Sequence, residues 1–272
     1  MKKPDYVAIA KEYMRGVLDG SVPACSFVKQ AVQRQLNDLR RWGPEGGDYY
    51  FDEKEASRPC WFIENLTHTK GELAGRAIHL EPWQCFLLTT LFGWKAKAGN
   101  RRFRSAYVEV GRGNGKSTLL SGIGLFCLCA DHEPGAEVYS FATTREQAKI
   151  VFGDAQTMAR GNRALQEAYG LEVTAHALYV PATNSTFQAK SAEGSTLDGL
   201  NTHLAIIDEL HAHKKRDVFD VVETSLGKRR NSLMVSITTA GVDRAGICYE
   251  QRTLVTKILS GSLQDESYFG II

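Results

Sequence analysis

Several features are missing from this sequence of 272 residues, and each absence excludes a class of protein. There is no C-x-x-C pair. Cys25, Cys60, Cys85, Cys127, Cys129 and Cys248 are scattered, which argues against a zinc ribbon or a dithiol redox motif. Several of them lie in apolar helical stretches, where a reduced cysteine acts as a small hydrophobe. No run approaches the roughly eighteen apolar residues of a membrane span. The opening "MKKPDYVAIAKEYMRG" lacks the apolar core of a secretory signal. A soluble intracellular protein with reduced thiols is the expectation. Charge of one sign is scarce as well: 33 Lys and Arg against 31 Asp and Glu leave +2. That balance does not announce a nucleic-acid binder, although a local basic patch fits inside it. Repeats and low-complexity tracts are absent. What is present, 43% hydrophobic and 24% charged residues, suits an ordinary globular core, and the length suits one large domain or one domain with appendages.

Residues 1–70 read as a helical N-terminal segment. "YVAIAKEYMRGVL" and "FVKQAVQRQLNDLRRW" carry apolar residues at three- and four-residue spacing, separated by the Gly- and Pro-containing "DGSVPA". "WGPEGGDYYFDEKEA" reads as a turn-rich connection, and "ASRPCWFIENLTHTKG" as another helix. From residue 71 to 260 the rhythm is that of an α/β domain. "PWQCFLLTTLFGW" is a helix opened by Pro82. Strands "RFRSAYVEV", "AEVYSFA", "THLAIID" and "SLMVSITTAG" alternate with helices, which predicts a mainly parallel central sheet flanked by helices. "LEVTAHALYVPATNSTFQAKSA" reads as short β pieces, a hairpin at the sheet edge. The final stretch, 261–272, holds "ESYFGII". It reads either as one more strand of this sheet or as a linker or first strand of a further domain.

The chemistry concentrates in "VEVGRGNGKST". A strand, a glycine-rich loop and a helix in this order make a phosphate loop, whose backbone N–H groups and helix N-terminus face phosphate oxygens. Gly111, Gly113 and Gly115 permit tight turning and close approach. Lys116 would reach the β- and γ-phosphates of ATP, and Ser117 would ligate Mg²⁺. Val110 departs from the pattern G-x-x-x-x-G-K-[ST], which has glycine there. By itself the loop could equally be a strand–helix turn that binds nothing. The second motif, "HLAIIDELH", lies roughly ninety residues after Lys116. An apolar strand ending in Asp208 and Glu209 would supply a carboxylate for Mg²⁺ and another to orient and deprotonate the attacking water. A metal site built from His203, His211 and His213 with these acids is the weaker reading, because H-x-H lacks the H-E-x-x-H geometry of a zinc hydrolase. The histidines read instead as surface or supporting polar groups.

Together these residues resemble the large subunit of tailed-bacteriophage terminases, the DNA-packaging motor. "GRGNGKS" has that family's arginine early in a divergent loop, "LAIIDE" its acid-ended strand, "SITTAG" its coupling motif and "LEPWQ" its adenine-side glutamine. "ATTREQAKIVF" looks like the family's segment after the second strand, and the match spans about residues 75 to 260. The resemblance implies a P-loop NTPase of the additional-strand, catalytic-glutamate type that hydrolyses ATP with Mg²⁺. It implies that Trp83 and Gln84 contact the adenine. Arg112, Asn114 and Thr118 would join the glycines, Lys116 and Ser117 in holding the nucleotide. Trp83 could equally be core packing, and Thr118 could merely continue the helix. Thr238, Thr239 and Gly241 would form the coupling segment. Ring motors of this kind use an arginine from the neighbouring subunit. Arg216, Arg229 and Arg230 are the candidates, with Arg230 preferred.

The implied partners are double-stranded DNA, a portal protein, a small terminase subunit and further copies of the chain in a ring, a pentamer by resemblance, in the host cytoplasm. Lys214, Lys215 and Arg216, or Arg101, Arg102 and Arg104, are candidate DNA contacts. No aspartate cluster for a second metal site follows Glu209, so nuclease activity is not expected of this stretch. The competing readings are a helicase-like remodeller on the same fold and a nucleotide-dependent scaffold that does not turn ATP over.

Overall fold

The computed structural model describes residues 4–42, 47–143, 145–191, 199–213, 216–241 and 246–272. Asp5 caps the first helix, α1 (Tyr6–Asp19), by accepting from Ala8 N, and Gly20 closes it in the left-handed conformation. Then come α2 (Ser26–Arg41) and α3 (Glu53–Glu64), the latter capped by Asp52 at Lys54 N and Glu55 N. Between them lies β1 (Tyr49–Phe51), which pairs antiparallel with β2 (Trp94–Ala96). The turn-rich reading of this connection missed β1, whose three residues hold three aromatics and are paired only through a partner more than forty residues away. The helix α4 (Pro82–Gly93) is apolar on all sides and buried almost throughout, because α1 and α3 cover it.

The large sheet has eight strands. These are β3 (Ser105–Glu109), β4 (Glu137–Ala142), β5 (Glu172–Val173), β6 (Leu178–Val180), β7 (Ser185–Ser191), β8 (Thr202–Asp208), β9 (Leu233–Thr238) and β10 (Tyr268–Ile271). Their order is β10-β3-β9-β8-β4-β7-β6-β5. The first six run parallel, and β6 and β5 complete an antiparallel edge, as the short β pieces predict. Every residue of β8 and β9 is buried, which explains their unbroken apolar runs. The helices α5 (Lys116–Cys129), α6 (Arg145–Gly161), α7 (Arg163–Tyr169), α8 (Asp217–Ser225) and α9 (Ile247–Leu259) flank the sheet. One hydrophobic core runs from Tyr6 to Ile271, so the N-terminal helices share it.

The strand in "ESYFGII" belongs to this sheet. β10 pairs parallel with β3, all four of its residues are buried, and a Cβ on Gly270 would lie 2.3 Å from Val255 Cγ1 of α9. Residues 268–271 are therefore part of the α/β fold, the first of the two readings of this stretch, and not a linker or the start of another domain. No helix among the described residues is long and apolar enough to cross a membrane.

The ends where the parallel strands begin form a floor braced by arginines. Arg102 is fully buried, bonded to Asp38 Oδ2 (2.8 Å), Glu266 Oε2 (2.6 Å) and Glu266 O (2.9 Å). Its guanidinium lies 4.3 Å from the Trp42 ring centroid and 4.7 Å from that of Phe103. Arg101 pairs with the buried carboxylate of Asp131, which also accepts from His203 Nε2 at 2.8 Å. Burial pushes the Asp131 carboxyl up, but Arg101 and then His203 outweigh it and hold it well below the usual range. Arg104 donates to Leu226 O, Arg229 O and Ser232 Oγ. Arg229 donates to Asn201 O, Glu133 Oε1, Pro134 O and Gly135 O. Arg101 and Arg102 are buried against carboxylates of their own chain, and Arg104 is held by carbonyl and hydroxyl oxygens, which argues against the expectation that these three contact DNA.

Candidate active site

The opposite ends of the strands, where they finish, hold the polar cluster. β3 ends at Glu109, and the loop 110–115 turns back into α5. Gly113 and Gly115 stand at φ +82° and +69°, where a side chain would be strained, so glycine is required at both. Asn114 Nδ2 donates to Gly111 O (3.1 Å) and stays within 3.4 Å of Arg112 O, which braces the loop from inside. Residues 111–115 are exposed, and no side chain caps the α5 N-terminus. Lys116 is 8% exposed, and its Nζ lies 3.8 Å from Glu209 Oε1.

β9 lies between β3 and β8, so Asp208 and Glu209 face the loop across the end of one intervening strand. The register places Thr238 level with Glu109, and Asp208 beside Ile237. Thr238 O accepts from Val110 N at 3.0 Å, which ties this strand end to the loop. Burial, and then the neighbouring Glu209 charge, raise Asp208 to about 6. Glu209 N donates to Asp208 Oδ1 at 2.9 Å. Glu209 itself takes a left-handed backbone conformation at φ +49°, uncommon for a residue with a side chain and concentrated at functional sites. That kink directs its carboxylate toward Lys116 and His211.

Beside the loop is a cavity of about 860 Å³, lined by Trp83, Gln84, Gly113, Asn114, Gly115 and Thr118 among others. The expected adenine-side residues and part of the loop therefore share one cavity. Gln84 has a second task. Its Oε1 accepts from Glu81 N at 2.9 Å in a capping box, leaving Nε2 on the loop side, where a Cβ on Gly115 would lie 3.8 Å from it. The cavity is also lined by His68, Arg76 and His79; the sequence reading put His68 in a helix that ends at Glu64 and gave Arg76 and His79 no role, since no motif marks them.

The residues fit a nucleotide with a divalent cation. A nearly buried lysine faces a glycine loop, the helix N-terminus is uncapped, and the buried Asp208 carboxylate beside the Glu209 charge would be relieved by added positive charge. The histidines do not converge on a metal. His203 begins β8 on the floor, while His211 and His213 follow its other end. His203 and His213 are buried rather than surface groups. Among the described residues one cluster has metal-like spacing, Cys127, Asp131 and His203, and Arg101 already pairs with its carboxylate.

A phosphate loop, an acid-ended strand and an extra strand between them define the P-loop NTPase fold of the additional-strand type. The profile for "Terminase large subunit, ATPase domain" matches residues 82–257. The chain belongs to that family. It is 31% identical over 190 residues to the terminase large subunit of Enterobacteria phage HK97, covering 68% of this chain and 37% of the relative. To the terminase large subunit of Lactococcus phage p2 it is 22% identical over 228 residues, 81% of this chain and 41% of that one. The crystal structure of the HK97 bacteriophage large terminase superposes with a TM-score of 0.67 at 27% identity, covering 80% of this chain and 43% of that one. The chain thus spans about two fifths of the length of these relatives.

Proposed function

We propose that this chain is the motor segment of a phage DNA-packaging machine, hydrolysing ATP with Mg²⁺ to drive double-stranded DNA into a procapsid. The observation that carries the reading is the approach of Lys116 Nζ to Glu209 Oε1, 3.8 Å, at the strand ends beside the 860 Å³ cavity. Mg²⁺, when bound, would supply neutralisation of phosphate charge. Ser117 and Asp208 are the residues that would hold it. The loop 111–115 presents its backbone N–H groups, and Lys116 adds a point charge. Arg112 is exposed on the loop, and on this reading it would lie against the phosphates. Trp83 and Gln84 Nε2 supply a ring face and a donor for the base. Glu209 orients a water and accepts its proton. Thr238, Thr239 and Gly241, at the end of β9, pass the state of the site to the rest of the domain.

The same reading brings the partners: DNA, a portal protein, a small terminase subunit and a ring of copies, five in number, in the host cytoplasm. Each copy needs an arginine from its neighbour. Arg229 is committed to four acceptors within its own chain, and Arg216 to Asp220 and Glu250. Arg230 is exposed and has no ion pair among the described residues, which supports it as the trans arginine. Lys214 and Lys215, candidates for the DNA backbone, lie outside the described residues.

ATP turnover and nucleotide binding test this together. Lys116→Ala is expected to lose both. Intact turnover in that variant would overturn the assignment.

A further inference from the structure

One side chain touches both the catalytic carboxylate and the end of β9. His211 sits in a single 3-10 turn, Leu210–Ala212, directly after β8. Its backbone N–H donates to Thr238 Oγ1 at 3.2 Å, and its ring Nδ1 lies 2.9 Å from the same oxygen. The same Nδ1 is 3.2 Å from Glu209 Oε2 and 3.5 Å from Thr239 Oγ1. Gly241 closes over it: a Cβ there would fall 2.9 Å from His211 Cβ, so the segment after β9 wraps the histidine because that residue is glycine.

Proton positions follow from these contacts. Thr238 has one hydroxyl proton, and it is directed at Thr239 O, 2.8 Å away. Thr238 Oγ1 can therefore only accept from the ring, so Nδ1 carries the hydrogen. That single N–H has two near acceptors, Thr238 Oγ1 and Glu209 Oε2, with Thr239 Oγ1 farther off at 3.5 Å. In this state it belongs to the threonine, and Glu209 Oε2 is buried without an aligned hydrogen bond despite its nearness. The other oxygen of the same carboxylate faces Lys116.

We propose that His211 is a positioning residue for hydrolysis: its Nδ1–H is one donor divided between the catalytic carboxylate and the coupling threonine, so that the two respond to each other. When Glu209 turns to take this hydrogen, Thr238 loses it and the end of β9 is released. When Thr238 holds it, Glu209 is free of the ring to face water. The inference rests on the ATPase reading above and deepens it by naming the link between the carboxylate and the coupling segment.

The test is steady-state ATP hydrolysis, with nucleotide binding and thermal melts, on His211→Ala, His211→Asn, Thr238→Val and the His211→Ala/Thr238→Val double variant. His211→Ala is expected to lower kcat roughly ten- to hundred-fold, with KM and nucleotide affinity within about two-fold. The asparagine amide places a donor near the Nδ1 position, so His211→Asn should recover most of the loss. The double variant should be no slower than the worse single, because both remove one shared interaction. Additive losses, an asparagine variant no better than alanine, or a raised KM at full kcat would overturn the proposal. If His211→Ala shows no cooperative melt, the asparagine and valine variants decide it by the same criteria. Lys116→Ala and Glu209→Gln are run alongside. Should both leave turnover intact, the ATPase reading fails and takes this proposal with it. Should both abolish turnover while the His211 variants run at full rate, this proposal alone fails.

Discussion

At the ends where the parallel strands begin, Arg101, Arg102, Arg104 and Arg229 are held by buried carboxylates, carbonyls and ring faces. At the ends where the strands finish, Lys116 is almost as deeply buried, yet its one ion pair among the described residues is Glu209 at 3.8 Å. Both ends carry buried charge, and the expected costs differ in kind. A floor arginine held by carboxylates and carbonyls of its own chain stabilises the fold and is unavailable to a ligand, even where, as in Arg101, Nε and Nη1 are buried without a partner. A lysine with a distant partner leaves room for phosphate, and the chain bears the strain of holding the site open: a left-handed Glu209 and a buried carboxylate pushed up to about 6.

The largest effect that would break this contrast is on turnover. Glu209→Gln should slow ATP hydrolysis on the order of a thousandfold while nucleotide still binds, measured by phosphate release and by titration. On the floor, Arg102→Ala strands the Asp38 carboxylate and part of Glu266, and should cost about 3–5 kcal/mol in urea unfolding. The site end should show the opposite sign. Asp208 is raised in the folded state from its ordinary 3.8 to about 6, so ionising it opposes folding; the penalty is absent at low pH and grows as pH rises through that window. Asp208→Asn should therefore stabilise the metal-free protein at pH 7.5 by up to about 3 kcal/mol, a gain that falls with pH and vanishes only below about pH 3. A destabilised Asp208→Asn at neutral pH would show that this carboxylate is structural like those of the floor. The smallest effect is expected at Arg230. Arg230→Ala should leave the melting temperature unchanged, yet complement a Glu209→Gln partner in mixed assemblies.

Much of the fold and the loop could be read from the sequence because local rules govern them. "VEVGRGNGKST" sets a strand, a positive-φ turn and a helix start within eleven residues, and the apolar runs of β8 and β9 follow from burial on both faces. What escaped depends on pairing across long separations. Nothing local announces that β1 meets β2, or that "RRFR" faces inward to Asp38, Asp131 and Glu266. Exposure was inferred from charge, and the arginines were buried because partners far along the chain neutralise them. His211 was legible as a polar residue near the acids. Its contact with Thr238 was not, since that needs β9 to lie between β3 and β8.

The placement of β9 has a mechanical consequence. Its six residues span about 20 Å and are buried throughout. One end touches His211 and the phosphate loop, and the other emerges within a few residues of the exposed Arg230. A close-packed strand has little slack to absorb displacement. On the motor reading proposed above it would act as a push-rod, so that axial movement at the phosphate-loop end would reappear at the floor, beside Arg230.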